Sequence, residues 1–177
     1  MLTRIKSRFA LDWWGHHGVR HWARVRSNAR IIARHVDGVD TQVTDLFAIL
    51  HDAWREDEFE DPGHGGRAMA WVRRIHEQDR FGLTSGQFHT LLIAIERHSI
   101  PRPLAYDVTM AACWNADRLD LGRVGITPEK RLLYPEALPP DHIIEAMHQR
   151  AMAERHKQRT LHAHANLLPP RNVHPYG

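Results

Sequence analysis

Fifteen histidines stand among 177 residues, and their placement deserves analysis because imidazole both ligates metals and transfers protons near neutral pH. His21, His51, His64 and His98 are spread along the chain, with carboxylates at Asp52, directly after His51, and at Asp117. Imidazole and carboxylate donors together suit iron, manganese, zinc or nickel. Cys113 is the single cysteine, so an intramolecular disulfide and a cysteine-based zinc site are both excluded. Six such donors exceed what one open catalytic ion needs, whereas two ions bridged by a carboxylate would use them all. The expectation is one or two divalent ions per chain, iron or manganese favoured, with zinc, nickel or magnesium admissible. Such ions lower the pKa of bound water and can generate hydroxide at neutral pH.

Helical periodicity dominates the elements that must position these donors. Val25, Ala29, Ile32 and Ala33 recur at spacings of three and four between His21 and His35, and Asp37-Gly38 closes that helix. Asp40 or Thr41 can cap the next, whose stripe of Val43, Leu46, Phe47 and Leu50 runs into His51-Asp52. The acidic stretch Ala53 to Gly63, with Asp61-Pro62-Gly63, reads as a loop. A helix from about His64 to His76 follows, with Ala68, Trp71, Val72 and Ile75 inward. Thr84 and Gln87 match a capping box that opens a helix ending close to His98. After Pro101 and Pro103, a helix from Leu104 to Asn115 would deliver Asp117 just beyond its end. Pro139-Pro140 precedes a last helix from about Asp141 to Arg159, and the Pro- and His-rich tail after Thr160 is expected to be partly disordered. No sustained period-two alternation marks a strand. The expected fold is therefore all-α, a bundle of about six to seven helices. Its expected divisions are an N-terminal segment (1–14), a metal-binding helical domain (15–138), and a C-terminal helix with tail (139–177). Ligands at helix ends can converge on one side of such a bundle.

The ordered series His21, His51-Asp52, Asp117 resembles the HD superfamily of metal-dependent phosphohydrolases. His21-Trp22-Ala23-Arg24-Val25 is similar to the first motif of that family, Phe47 to Asp52 to its second, and Asn115-Ala116-Asp117-Arg118-Leu119 to its last. His64 and His98 fall where binuclear members place two extra histidines. The resemblance spans roughly residues 15 to 125 and implies a phosphohydrolase acting on a nucleotide or other small phosphorylated metabolite. It also implies a second, lesser alternative, a di-iron oxygenase resembling myo-inositol oxygenase, because the six-ligand set is shared. The Gly-Tyr-Pro motif of the cyclic dinucleotide enzymes is absent, which disfavours that substrate. Bacterial nucleotidases of the family carry a glutamate three residues after His-Asp; here that position is Arg55, and Glu56 is the nearest substitute.

Asp52 is expected to bridge the ions or orient the nucleophile, and His17 to line the pocket as an acid or as support for a ligand. Arginine matches phosphate with its planar fork, so Arg55 and Arg118 are expected at the reacting group and Arg24 and Arg67 at the substrate. A salt bridge, such as Arg118 with Asp120, is the plainer reading of each. The tryptophans Trp13, Trp14, Trp22, Trp54, Trp71 and Trp114 are expected to be core anchors.

The net charge is +3 and unevenly spread. Arg4, Arg8, Arg20, Arg24, Arg26, Arg30, Arg34 and Lys6 face a single acid, Asp12, before residue 35, whereas residues 52–61 are acidic. That basic helix leaves open a third function, a non-catalytic regulatory or nucleic-acid-binding module, although a solvated helix face is the simpler account. The longest apolar runs, such as Leu91 to Ile95, are too short to cross a bilayer, and no signal-peptide pattern is present. The expectation is a cytoplasmic monomer or homodimer with a small phosphorylated substrate, no membrane partner, and nucleic acid as the lesser alternative.

Overall fold

The computed structural model describes residues 1–78 and 81–167, with backbone alone at 158–159 and 161–167. Among the described residues it is all-helical, with seven α-helices and no strand. They are α1 (Leu2–Lys6), α2 (Val19–His35), α3 (Thr41–Leu50), α4 (His64–Gln78), α5 (Ser85–Arg97), α6 (Val108–Arg118) and α7 (Asp141–Leu167). Short 3-10 turns at Leu121–Val124, Lys130–Leu132 and Pro135–Ala137 link the last two. No described helix is long and apolar enough to cross a membrane.

Helix α3 sits at the centre, packed against α2, α5 and α6, and α4 is paired with α5. Asp40 begins α3 by accepting from the backbone N–H of Gln42 and Val43, which satisfies donors that a helix start leaves unpaired. Its second oxygen accepts from Gln87 Nε2 at 2.6 Å, so the starts of α3 and α5 are tied together. The capping box at Thr84 and Gln87 is formed. Val25, Ala29, Ile32, Phe47, Leu50, Leu91, Ile95 and Trp114 lie fully buried between these helices, and the Trp114 indole N–H donates to Ala94 O at 2.9 Å.

Helix α6 departs from the sequence expectation. It starts at Val108 rather than Leu104 because Asp107 caps it, accepting from Met110 N–H. Leu104 and Tyr106 are exposed before it, and Asp117 falls inside the last turn rather than beyond it. Helix α7 runs past Arg159 to Leu167, since no proline or glycine interrupts the chain between Thr160 and Leu167. The expected partly disordered tail is thus helical at its start, and residues 168–177 lie outside the described residues. The N-terminal segment and α7 both enter the core, Ile5 and Met147 being buried with it. Among the tryptophans, Trp14 is not a core anchor: it is 57% exposed.

Candidate metal centre

Two histidines are oriented by their own helices. A helix end leaves its last carbonyls without intrahelical donors. His51, at the end of α3, places Nδ1 3.1 Å from Phe47 O, and His98, at the end of α5, places Nδ1 2.7 Å from Ile95 O. Each ring is therefore placed to donate through Nδ1 and turns Nε2 outward. His64, at the start of α4, makes the same contact to Asp61 O. His21 uses a distant partner, its Nδ1 lying 2.7 Å from Asp120 Oδ2.

The four Nε2 atoms meet around one carboxylate. His21 Nε2 is 3.1 Å from His51 Nε2 and 3.3 Å from Asp117 Oδ1, and Asp52 Oδ2 lies 3.6 Å from both imidazoles. On the other side His64 Nε2 is 2.7 Å from His98 Nε2, and Asp52 Oδ1 is 3.2 Å from the first and 3.4 Å from the second. One group thus holds His21, His51, Asp52 and Asp117; the other holds His64, His98 and the second oxygen of Asp52. A divalent ion with bonds of about 2.1 Å sets neighbouring donors about 3.0 to 3.4 Å apart, depending on geometry. Four of the seven separations fall within that span, the His64–His98 pair is tighter at 2.7 Å, and the two Asp52 Oδ2 contacts are wider at 3.6 Å. Two triads have donor atoms within ligating reach of one another, His21 with His51 and Asp117, and His51 with Asp52 and His98, so these residues fit a metal ion.

Gly65 permits the second group. A side-chain Cβ there would come within 2.6 Å of Glu96 O and 2.8 Å of Ile95 O, so glycine lets α4 approach the end of α5 and bring His64 onto His98.

Electrostatics suit a cation. Burial pushes His51 down to about 3 despite the pull of Asp52 and Asp117, so its ring is a neutral ligand at physiological pH. Burial works against ionisation of Asp52, yet the electrostatic pull of the neighbouring His51 ring and hydrogen bonds from His17, His64 and His98 hold its carboxyl well below the ordinary value. Asp117 is held down likewise by its bond to His21 and by the surrounding imidazoles, against burial. His98 is moved up by its hydrogen bond to Asp52 and that carboxylate's charge, which outweigh burial. With Nδ1 turned away, the Nε2 atoms of four imidazoles converge on the two oxygens of Asp52, those of His21 and His51 on one and those of His64 and His98 on the other.

The centre opens into a cleft of about 1590 Å3 lined by His17, Asp52, Arg55, His64, His98 and Asp117 among others. His17 lies between the centre and the loop after α3, with Nδ1 3.1 Å from Asp52 Oδ2 and Nε2 3.7 Å from Glu58 Oε2. Arg55 lines the same wall with a terminal nitrogen 3.9 Å from Asp52 Oδ1. The other arginines chosen from sequence lie off the cleft. Arg24 donates through Nε to Asp120 Oδ1 at 2.8 Å. Arg67 binds Trp54 O and Asp61. Arg118 donates to Leu132 O and Ile100 O and lies over the Tyr134 ring, so neither a reacting-group role nor the Asp120 salt bridge describes it. Glu56 is turned outward beside Arg67, 3.5 Å away, and is not the missing glutamate.

Sequence reading passed over Asp120, Arg123 and Glu58. Asp120 is 1% exposed and anchors His21, while Arg123 is buried with bonds to His16 O and Asp120 O and a contact to His17 Nδ1 at 3.4 Å. The spacing Asp117, Asp120, Arg123 carried the signal, because a helix end running into a 3-10 turn puts residues three apart on one side. Support of a ligating histidine by a carboxylate fixes the ring and raises its basicity. Asp120→Asn is expected to weaken metal binding about 10- to 100-fold with little change in helicity, measured by competition against a calibrated chelator. Unchanged affinity would remove Asp120 from the site.

No family model matches the chain, and no match is found among curated proteins or solved structures.

Proposed function

We propose that the protein is a metal-dependent phosphohydrolase of the HD type, acting on a nucleotide or other small phosphorylated metabolite at a binuclear centre. The observation that carries this reading is Asp52, whose two carboxylate oxygens face two separate histidine pairs across 3.2 to 3.6 Å. His21, His51, Asp52 and Asp117 would hold one ion, and His64, His98 and Asp52 the other. Divalent ions there would lower the pKa of water and offset charge on a transferring phosphoryl group. The chain's own residues do the rest. Asp117, at 17% side-chain exposure, borders both the centre and the open cleft. His17 stands between Asp52 and Glu58 and is placed to hold or pass a proton at the cleft wall. Arg55 adds positive charge beside Asp52.

A di-iron oxygenase shares this donor set. The arginines along the cleft, Arg20, Arg55, Arg123 and Arg155, favour a phosphorylated substrate over an uncharged one. The deciding experiment is elemental analysis of protein expressed with iron and manganese and purified without a His-tag, followed by phosphoester and nucleotide assays with oxygen uptake alongside. About two ions per chain and metal-dependent phosphate release are expected. Oxygen uptake without phosphate release would move the assignment to the oxygenase. Nucleic-acid binding that survives metal removal, with neither activity, would move it to a regulatory module. No ion after reconstitution would end the metal reading.

A further inference from the structure

We propose that Arg155, seated on Gly125 in the cleft wall, is the receptor for an anionic phosphoryl group of the substrate; this rests on the phosphohydrolase reading. Of the cleft arginines, three are already engaged. Arg55 donates to Asp57 O and Phe59 O. Arg123 is held by His16 O and Asp120 O. Arg20 lies 5.4 Å over the Trp14 ring and 3.7 Å from Glu154. Arg155 lines the same cleft, and among the described residues it has no hydrogen-bond, ion-pair or ring partner. A guanidinium carries five N–H donors in a fixed fork, and among the described residues no acceptor takes any of those of Arg155. An oxyanion in the cleft would satisfy them.

The second observation is the seat. A Cβ on Gly125 would lie 2.5 Å from Arg155 Cζ and 2.7 Å from each terminal nitrogen. Such near-equal distances mean that the guanidinium lies flat on the glycine, leaving the edges of its fork for a ligand. Gly125 has φ +83, a left-handed conformation that closes the preceding 3-10 turn with a bond from its N–H to Gly122 O. That conformation favours glycine, and the absence of a side chain makes room for the arginine.

The helix beneath Arg155 is docked rather than loose. Helix α7 packs on the Leu121–Val124 turn, where Gly122 lies against Ala151 and His148. One turn before, Arg150 reaches back to Ser27 Oγ at 3.2 Å and to Asn28 Oδ1. The planar fork therefore starts from a fixed base, and it can bind two phosphoryl oxygens at once. Leu121, Val124 and Ile126 complete this side of the cleft, distinct from the His17 and Arg55 wall. It follows that the cleft reads substrate charge at a point supplied by the C-terminal helix.

The test compares wild type, Arg155→Ala and Arg155→Lys, with Arg155→Gln standing in should alanine fail to fold. In the metal-loaded protein, Arg155→Ala is expected to raise KM for a hydrolysed phosphoester about 10- to 100-fold, the range for losing a charge-assisted contact, with kcat within about twofold. Lysine, which supplies charge without the fork, should fall between. In the metal-free protein, calorimetric titration with inorganic phosphate should show binding that weakens with salt and is lost in Arg155→Ala. Unchanged KM together with unchanged phosphate affinity would overturn the inference while leaving the phosphohydrolase reading standing. If wild type hydrolyses no phosphoester with any metal, that reading fails, and the phosphate titration alone decides for or against Arg155.

Discussion

Asp52→Asn is expected to abolish the proposed binuclear centre and cut the proposed phosphoester hydrolysis by at least about 10^3-fold, equivalent to roughly 4 kcal/mol. The reasoning is geometric and electrostatic. The Asp52 carboxylate reaches both histidine pairs, with one oxygen 3.6 Å from His21 and His51 and the other 3.2 and 3.4 Å from His64 and His98. Asparagine keeps the shape and one acceptor but removes the charge and puts N–H donors where an ion would bind. Four imidazoles and Asp117 then offset less of the charge on two cations, so metal content should fall from the proposed two ions to at most one. An effect of 10^2 to 10^3 is ordinary for losing a single electrostatic contact to a transition state; loss of an ion that activates water adds to it. Asp52→Asn retaining two ions and full activity would exclude Asp52 as the bridge.

Phe47→Ala should produce the largest loss of stability, about 3 to 5 kcal/mol. For a chain of this length that corresponds to a melting temperature lower by roughly 6 to 20 °C. Phe47 is fully buried in α3, and its removal leaves a cavity that packed helices fill only in part. The ring also packs against two residues of the candidate metal centre. It stacks on His51 with centroids 4.9 Å apart and planes 21° apart, and meets His98 edge-on at 6.1 Å. The same substitution should therefore weaken metal binding as well as the fold. Thermal denaturation with and without added metal separates the two effects: the gain in melting temperature on adding metal should be smaller in the variant than in wild type. An equal gain would show that Phe47 supports the core alone.

Helix starts were legible at two positions where a capping side chain acts on its own turn. Asp40 and Thr84 opened helices as their spacing implied. Asp107 offered the same signal and set the start of α6, but the prolines at 101 and 103 gave a competing one closer to Leu104. The arginines were misplaced for a different reason. Arg24, Arg67 and Arg118 were selected for nearness along the chain to proposed ligands, and helical rotation carries residues three apart to directions that neighbouring elements then decide. Arg24 ends at Asp120 and Arg118 at two backbone carbonyls. Arg155 could not be read at all from sequence, because its place depends on α7 docking against a turn some thirty residues earlier.

By itself the sequence determined the helical class, the donor types and their order, and the ring orientation of two ligands. His51 and His98 are turned by carbonyls four and three residues back in their own helices, an interaction settled within one turn. Tertiary structure alone decided that the donors meet. The His21–His51 and His64–His98 contacts join residues 30 and 34 apart, and the His21–Asp120 bond joins residues 99 apart. Those separations are closed by the packing of apolar helix faces, whose register local propensity leaves undetermined.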